Sequence, residues 1–187
     1  MLLLKKILRR FKRILGITGA TRISETSKVR EQLLQYCVGD GLDLGYGGDP
    51  ISESAICMDL PKKYAAYQSH PQHLHGDARD LHWFRDDVLD YVYSSHVLED
   101  FEDTESVLKE WLRVVRPGGS VVLFLPDEQT YRKHCMSLGK PPNEHHIHEF
   151  FGPKYLWEIV EKLENAEVIH EAFPIGIYSF EMVIKKT

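Results

Sequence analysis

Residues 41–50 read Gly41-Leu-Asp-Leu-Gly45-Tyr-Gly47-Gly-Asp-Pro50. A short apolar run, Leu42 and Leu44 about Asp43, breaks into a glycine cluster, so a strand is predicted to run into a turn where a ligand can approach the backbone. Outward from this stretch the same grammar repeats. Ala55–Met58 is a second apolar run and ends at Asp59; a third strand is predicted near His73–His75, ending at Gly76-Asp77; Val88–Tyr93 is a fourth. Val121–Leu125 is continuously apolar, as a central strand covered on both faces must be. Helices fall between and around the strands. Val29, Leu33 and Cys37 share one face of a helix over Ser27–Cys37, and Thr104 caps a helix carrying Val107, Leu108, Trp111, Leu112 and Val115. Arg116-Pro-Gly-Gly119 stops that helix, and Pro153 starts another with Leu156, Ile159, Val160 and Leu163. Glu167–Ala172 and Ile177–Ile184, joined by Phe173-Pro-Ile-Gly176, are too close for a crossover and must pair antiparallel. Strands alternating with helices predict an α/β, doubly wound, mostly parallel sheet over residues 24–187.

The chain of 187 residues is 43% hydrophobic and 27% charged, which excludes a disordered chain. Three scattered cysteines, with no CxxC, exclude a disulfide scaffold and fit a reducing, cytoplasmic setting. The net charge of −5 is unevenly spread: residues 1–14 carry six basic residues and no acid, leaving 17 basic and 28 acidic residues in the rest. So acidic a body argues against nucleic acid as a partner. Residues 1–17 place Leu4, Ile7, Leu8, Phe11, Ile14 and Leu15 on one face of a basic amphipathic helix. Two readings stand: residues 1–15 contact the inner face of an anionic membrane, or the helix packs on the body or on a second subunit.

In a doubly wound sheet, ligands bind beyond the carboxyl ends of the strands. Three acids stand there: Asp43, Asp59 and Asp77. A carboxylate two residues before the first glycine opposes a dinucleotide's pyrophosphate and welcomes a cation. S-adenosylmethionine carries a sulfonium and an ammonium group and no phosphate. Asp59 is placed to accept from ribose hydroxyls, and Asp77, with the Ala78 N–H nearby, to meet adenine.

The chain here resembles the class I S-adenosylmethionine-dependent methyltransferases of the small-molecule and glycan type. The resemblance rests on Asp43-Leu-Gly-Tyr-Gly47, Gly76-Asp-Ala78, the run Leu89 to His96-Val-Leu-Glu99, and Arg116-Pro-Gly-Gly119. It implies a Rossmann-like sheet of seven strands, order 3-2-1-4-5-7-6, with the last strand antiparallel. It further implies S-adenosyl-L-methionine as cofactor, held by Asp43, Gly45, Tyr46, Gly47, Asp59, Leu60, Asp77, Ala78 and Ser94. Two departures from the pattern stand out. Asp49 replaces a glycine, and only residues 45–54 separate the first two strands, enough for one helical turn capped by Asp49 and begun by Pro50.

Methyl transfer to a hydroxyl needs a proton acceptor. His96, just past the fourth strand, is the candidate catalytic residue; packing on the cofactor is its other reading. Glu99 and Asp100 read as surface acids. Residues 126–152 read as a long loop, and the resemblance implies that it forms the acceptor wall. His145, His146 and His148 with Glu144 and Glu149 resemble metal ligands, but without an HExxH spacing no metal is expected. The function expected is methyl transfer to a small molecule or glycan. The alternative is a degenerate, non-catalytic interaction domain tethered to a membrane surface; a nicotinamide oxidoreductase is opposed by Asp43.

Overall fold

The computed structural model describes residues 23–61 and 70–187. The predicted amphipathic segment 1–17 lies outside the described residues.

Seven strands form one sheet: Gly41–Leu44 (β1), Ile56–Asp59 (β2), Leu74–His75 (β3), Leu89–Ser95 (β4), Val115–Pro126 (β5), Ala166–Ile175 (β6) and Ser179–Lys186 (β7). Their order is β3-β2-β1-β4-β5-β7-β6, as expected. β1 pairs in parallel with β2 and β4, β2 with β3, and β4 with β5, while β7 lies antiparallel between β5 and β6. β1 is buried along its whole length because it sits between two partners and is covered on both faces.

Side-chain alternation divides the core in two. Leu42, Leu44, Val92 and Leu123 face Thr104–Val114 (α2) and Pro153–Val160 (α4), through Leu108, Trp111, Leu156 and Val160. On the opposite face, Tyr91, Tyr93, Val122, Phe124 and Val183 pack under Val29 and Leu33 of Glu25–Leu33 (α1), with Ile51 beside them. Ser24 caps α1 by accepting the Ser27 N–H. The cap of α2 is Asp103, one residue before the predicted Thr104, because its carboxylate accepts the Ser106 N–H at 3.0 Å. The end of α2 is closed by Lys186, whose ammonium donates to the carbonyls of Leu112 (2.9 Å) and Val115 (2.8 Å) and to Asp87 (2.7 Å). A cation on the last carbonyls of a helix is the favourable end of its dipole.

Three expectations are corrected. The first crossover, residues 45–55, has no helical turn; it is a chain of turns and bends. Asp49 is drawn to α1, where it accepts from Arg30 at 2.6 Å and from Ser24, and Arg30 also donates to the Pro50 carbonyl at 3.0 Å. The cap and the first helical carbonyl are thus already committed elsewhere. Residues 126–152 are not all loop, since Asp127 caps a helix over Glu128–Ser137 (α3) by accepting the Thr130 N–H at 2.9 Å. In the terminal hairpin β6 continues to Ile175 and the chain turns at residues 176–178, beyond the predicted Pro-Gly turn. No helix among the described residues is long and apolar enough to cross a membrane.

Candidate functional site

A cleft of about 300 Å³ opens at the carboxyl ends of β1 to β4. Gly45 leaves β1 at φ +67°, and a Cβ there would stand 2.3 Å from Val97 Cγ2, so both the turn and its packing require glycine. Among the described residues, Gly47, at φ +59°, has nothing nearer than 3.9 Å to such a Cβ, so its backbone is open to close approach. Asp59 ends β2 and holds this turn. Its Oδ2 accepts the Gly47 N–H at 3.3 Å and its Oδ1 the Leu60 N–H at 2.8 Å, while burial pushes its carboxyl up. The β3 turn is fixed by the Ala78 carbonyl, which accepts the Trp111 Nε1–H at 2.7 Å. Asp77 beside it accepts from the Arg79 guanidinium at 2.6 Å and from the Arg79 N–H at 2.9 Å, which holds its carboxyl low.

Of the residues chosen from sequence, Gly45, Gly47, Asp59, Leu60, Asp77, Ala78 and His96 line this cleft. Three do not. Asp43 lies behind the glycine turn, 1% exposed; its Oδ2 accepts the Ile51 N–H at 2.7 Å, and burial pushes its carboxyl up to about 8. Alternation along β1 explains this, because Asp43 points to the α1 face, against Leu42 and Leu44. Tyr46 is buried, with its hydroxyl donating to the His70 carbonyl at 3.3 Å. Ser94 is fully buried and ties β4 to β1 by donating to the Leu44 carbonyl at 3.1 Å.

His96, Val97, Asp100, Phe101 and His145 also line the cleft. His96 adopts φ 54°, a strained conformation for a non-glycine residue, and its N–H donates to the Phe124 carbonyl at 2.9 Å. The ring packs edge-on against Phe124, with Nδ1 3.5 Å from Glu99 Oε1 and Nε2 3.5 Å from Ser179 Oγ. Burial first, then His146 and Lys28, lower its pKa to about 3, so the ring is neutral at physiological pH. Glu99, read from sequence as a surface acid, is fully buried, and Asp100 is partly buried in the cleft wall. His146 is buried against Glu128 of α3, and His148 bonds through Nε2 to the Phe101 carbonyl at 2.7 Å. Sequence reasoning missed Arg79, Phe101 and the Glu99–His146–Glu128 group. The signal for the last was the Asp127-Glu128 pair, an acidic helix start, set one short segment before the histidines.

A family model described as a methyltransferase domain matches residues 42–123. A demethylmenaquinone methyltransferase of Bacillus cereus (strain B4264) is 35% identical over 158 residues, which cover 74% of this chain and 66% of that protein. The chain belongs to the class I S-adenosylmethionine-dependent methyltransferases. It spans about two thirds of the length of that Bacillus cereus relative. Among solved structures, a protein of Pyrococcus horikoshii superposes with a TM-score of 0.71 at 20% identity, covering 95% of this chain and 99% of that one. A SAM dependent methyltransferase of Archaeoglobus fulgidus gives 0.67 at 17% identity, over 87% of this chain and 95% of that one. At these identities the structures establish the shared fold.

The cofactor of this family is S-adenosylmethionine, and the donor set of the cleft fits it. Asp59 and Asp77 offer acceptors to hydroxyl and amine groups, and the backbone at Gly47 is open to a close-lying ligand. A pyrophosphate finds the opposite. No helix N-terminus follows the glycine turn in residues 45–55, so the pyrophosphate site of a dinucleotide-binding sheet is missing.

Proposed function

We propose that the chain transfers a methyl group from S-adenosylmethionine to a hydroxyl of a small molecule or glycan. The observation that carries this reading is the cleft itself. Gly45, Gly47, Asp59, Asp77, Ala78 and His96 line one cleft, so a bound cofactor and an acceptor share one enclosure. The family and the demethylmenaquinone methyltransferase relatives support a small-molecule acceptor.

The bound cofactor supplies an activated methyl carbon. The protein's part is then alignment, exclusion of water and disposal of the hydroxyl proton. Asp59 binds the ribose end and, through Gly47, sets the loop against it. His96 accepts the hydroxyl proton. A neutral imidazole of low basicity suffices if the proton leaves late, because an oxygen that is gaining a methyl group becomes far more acidic than an imidazolium. Burial keeps the ring neutral and its lone pair available across the physiological range.

The basic segment 1–15 carries the second half of the proposal, contact with an anionic membrane surface where a lipid-linked or surface acceptor would be met. The test of the chemistry is transfer of a labelled methyl group from S-adenosylmethionine to a panel of hydroxylated small molecules and glycans. Label recovered as a methyl ether supports the reading. Label on nitrogen or carbon, or none with a saturating cofactor, contradicts it.

A further inference from the structure

Glu99 is fully buried, and among the described residues neither of its carboxylate oxygens has a hydrogen-bond partner. Its neighbours do not solve that problem. His146 Nε2 lies 3.6 Å from Glu99 Oε1, and His96 Nδ1 lies 3.5 Å from the same atom, both too far for a hydrogen bond of ordinary strength. Asp100, next in the chain, adds a second carboxylate whose buried Oδ1 also has no partner among the described residues.

His146 is held in a defined state. Its Nδ1 meets Glu128 Oε1 in a short contact, and Glu128, fully buried, accepts from Arg132 Nε at 3.0 Å. With Glu128 as the acceptor at Nδ1, the neutral ring carries its proton there and turns Nε2 toward the Glu99 oxygens. Nε2 therefore presents a lone pair to the Glu99 oxygens. A lone pair and two carboxylates facing one another away from water repel, unless a cation or a proton stands among them.

The donor atoms of Glu99, Asp100 and His146 lie within 4.8 Å of one another. Glu99 Oε1 and His146 Nε2 stand 3.6 Å apart, a separation that one ion at about 2.0–2.3 Å from each bridges. Orientation of a ligating imidazole by a carboxylate on its other nitrogen is how metal-binding histidines are commonly fixed, and Glu128 does this for His146. The carboxylates and the imidazole come from different parts of the chain, the turn after β4 and the segment after α3, and α3 brings them together.

We propose that Glu99, Asp100 and His146 bind one divalent cation. Two carboxylates with one imidazole suit Mn²⁺ or Zn²⁺ rather than a thiophilic ion. Asp100 lines the cleft, so the remaining coordination positions open toward it. There the ion takes an oxygen of the acceptor, a consequence that rests on the methyl-transfer reading, whereas the ion site itself does not.

The test is titration of the full, chelator-treated chain with Mn²⁺, followed by the loss of the free-ion electron paramagnetic resonance signal, with Zn²⁺ as competitor. We expect one saturable site per chain. Glu99→Gln and Asp100→Asn should each weaken it at least tenfold while keeping the native circular dichroism spectrum. Glu149→Gln, an exposed acid of the same histidine-rich segment, should leave it unchanged. Absence of a saturable site below millimolar Mn²⁺, or equal affinity in all three variants, overturns the proposal and leaves Glu99 as a protonated acid. Calorimetry with S-adenosylhomocysteine in the absence of metal separates the two readings. Intact cofactor binding with no Mn²⁺ site sinks the ion alone, and a Mn²⁺ site without cofactor binding sinks the methyl-transfer reading alone.

Discussion

The carboxylate of Asp43 accepts the backbone N–H of Ile51 at 2.7 Å, so the acid that precedes the glycine turn fastens the first crossover from inside. Around it stand Cys37, Cys57, Tyr91 and Tyr93, whose protons are held more tightly by burial first and by the nearness of Asp43 after it. A short crossover without a helix keeps its place by this bond and by Arg30 on Asp49 and Pro50.

Asp43 makes stability fall as pH rises. Its folded pKa is raised from 3.8 to about 8, so the folded chain holds a proton there that the unfolded chain has lost. That contribution is complete below about pH 4 and disappears as pH climbs through about 8. Asp43→Asn keeps an acceptor for Ile51 and stays neutral throughout. In thermal melts from pH 5 to pH 8.5, the variant should gain on the parent steadily with pH. Parallel curves would show that Asp43 is ionised in the fold.

Asp59 holds Gly47 and Leu60 and faces the cleft. Asp59→Ala should weaken S-adenosylhomocysteine binding by about 1–3 kcal/mol, through lost acceptors and a loosened turn. Isothermal titration reads this directly. Unchanged affinity in a folded variant removes the residue from the site.

His96→Asn tests the proton acceptor, since asparagine tolerates the left-handed backbone at this position. S-adenosylhomocysteine affinity should hold nearly constant, while turnover on a hydroxyl acceptor slows by ~10²–10⁴-fold. Lost cofactor binding with parental turnover at saturation would make His96 a packing residue.

The architecture was largely legible, because each strand's polarity pattern and the residue at its end are local features. Leu42 and Leu44 marked β1, and Val121–Leu125 marked β5, which is paired on both sides. The site was legible where it is made of strand ends and illegible where it is made of a helix. α3 buries only Glu128 and Cys135, so it has no apolar stripe for periodicity to find. Without α3, the pairing of His146 with Glu99 could not be anticipated, and Glu99 looked like a surface acid. The direction of Asp43 was hidden for another reason: a strand-end acid points to either face, and only register assigns which.

The segment 1–16 should bind vesicles of anionic lipid, with binding that weakens as salt rises, since six basic residues near such a surface contribute roughly 1 kcal/mol each. Co-sedimentation of the full chain and of a chain lacking residues 1–16 measures this. A shortened chain that unfolds, or one that binds vesicles equally well, would assign the segment a different role.

Calorimetric titration of the full chain with S-adenosylhomocysteine, beside a matched titration with NAD, tests the central claim most directly. The cleft retains its strand-end acceptors and glycine turn but has no first-crossover helix, so its donors to the cofactor's carboxylate are fewer than a helix N-terminus offers. The account predicts saturable binding of S-adenosylhomocysteine with Kd of about 10–100 μM, and no binding of NAD. A folded, monodisperse chain that shows no heat at millimolar S-adenosylhomocysteine, or that prefers NAD, would contradict it.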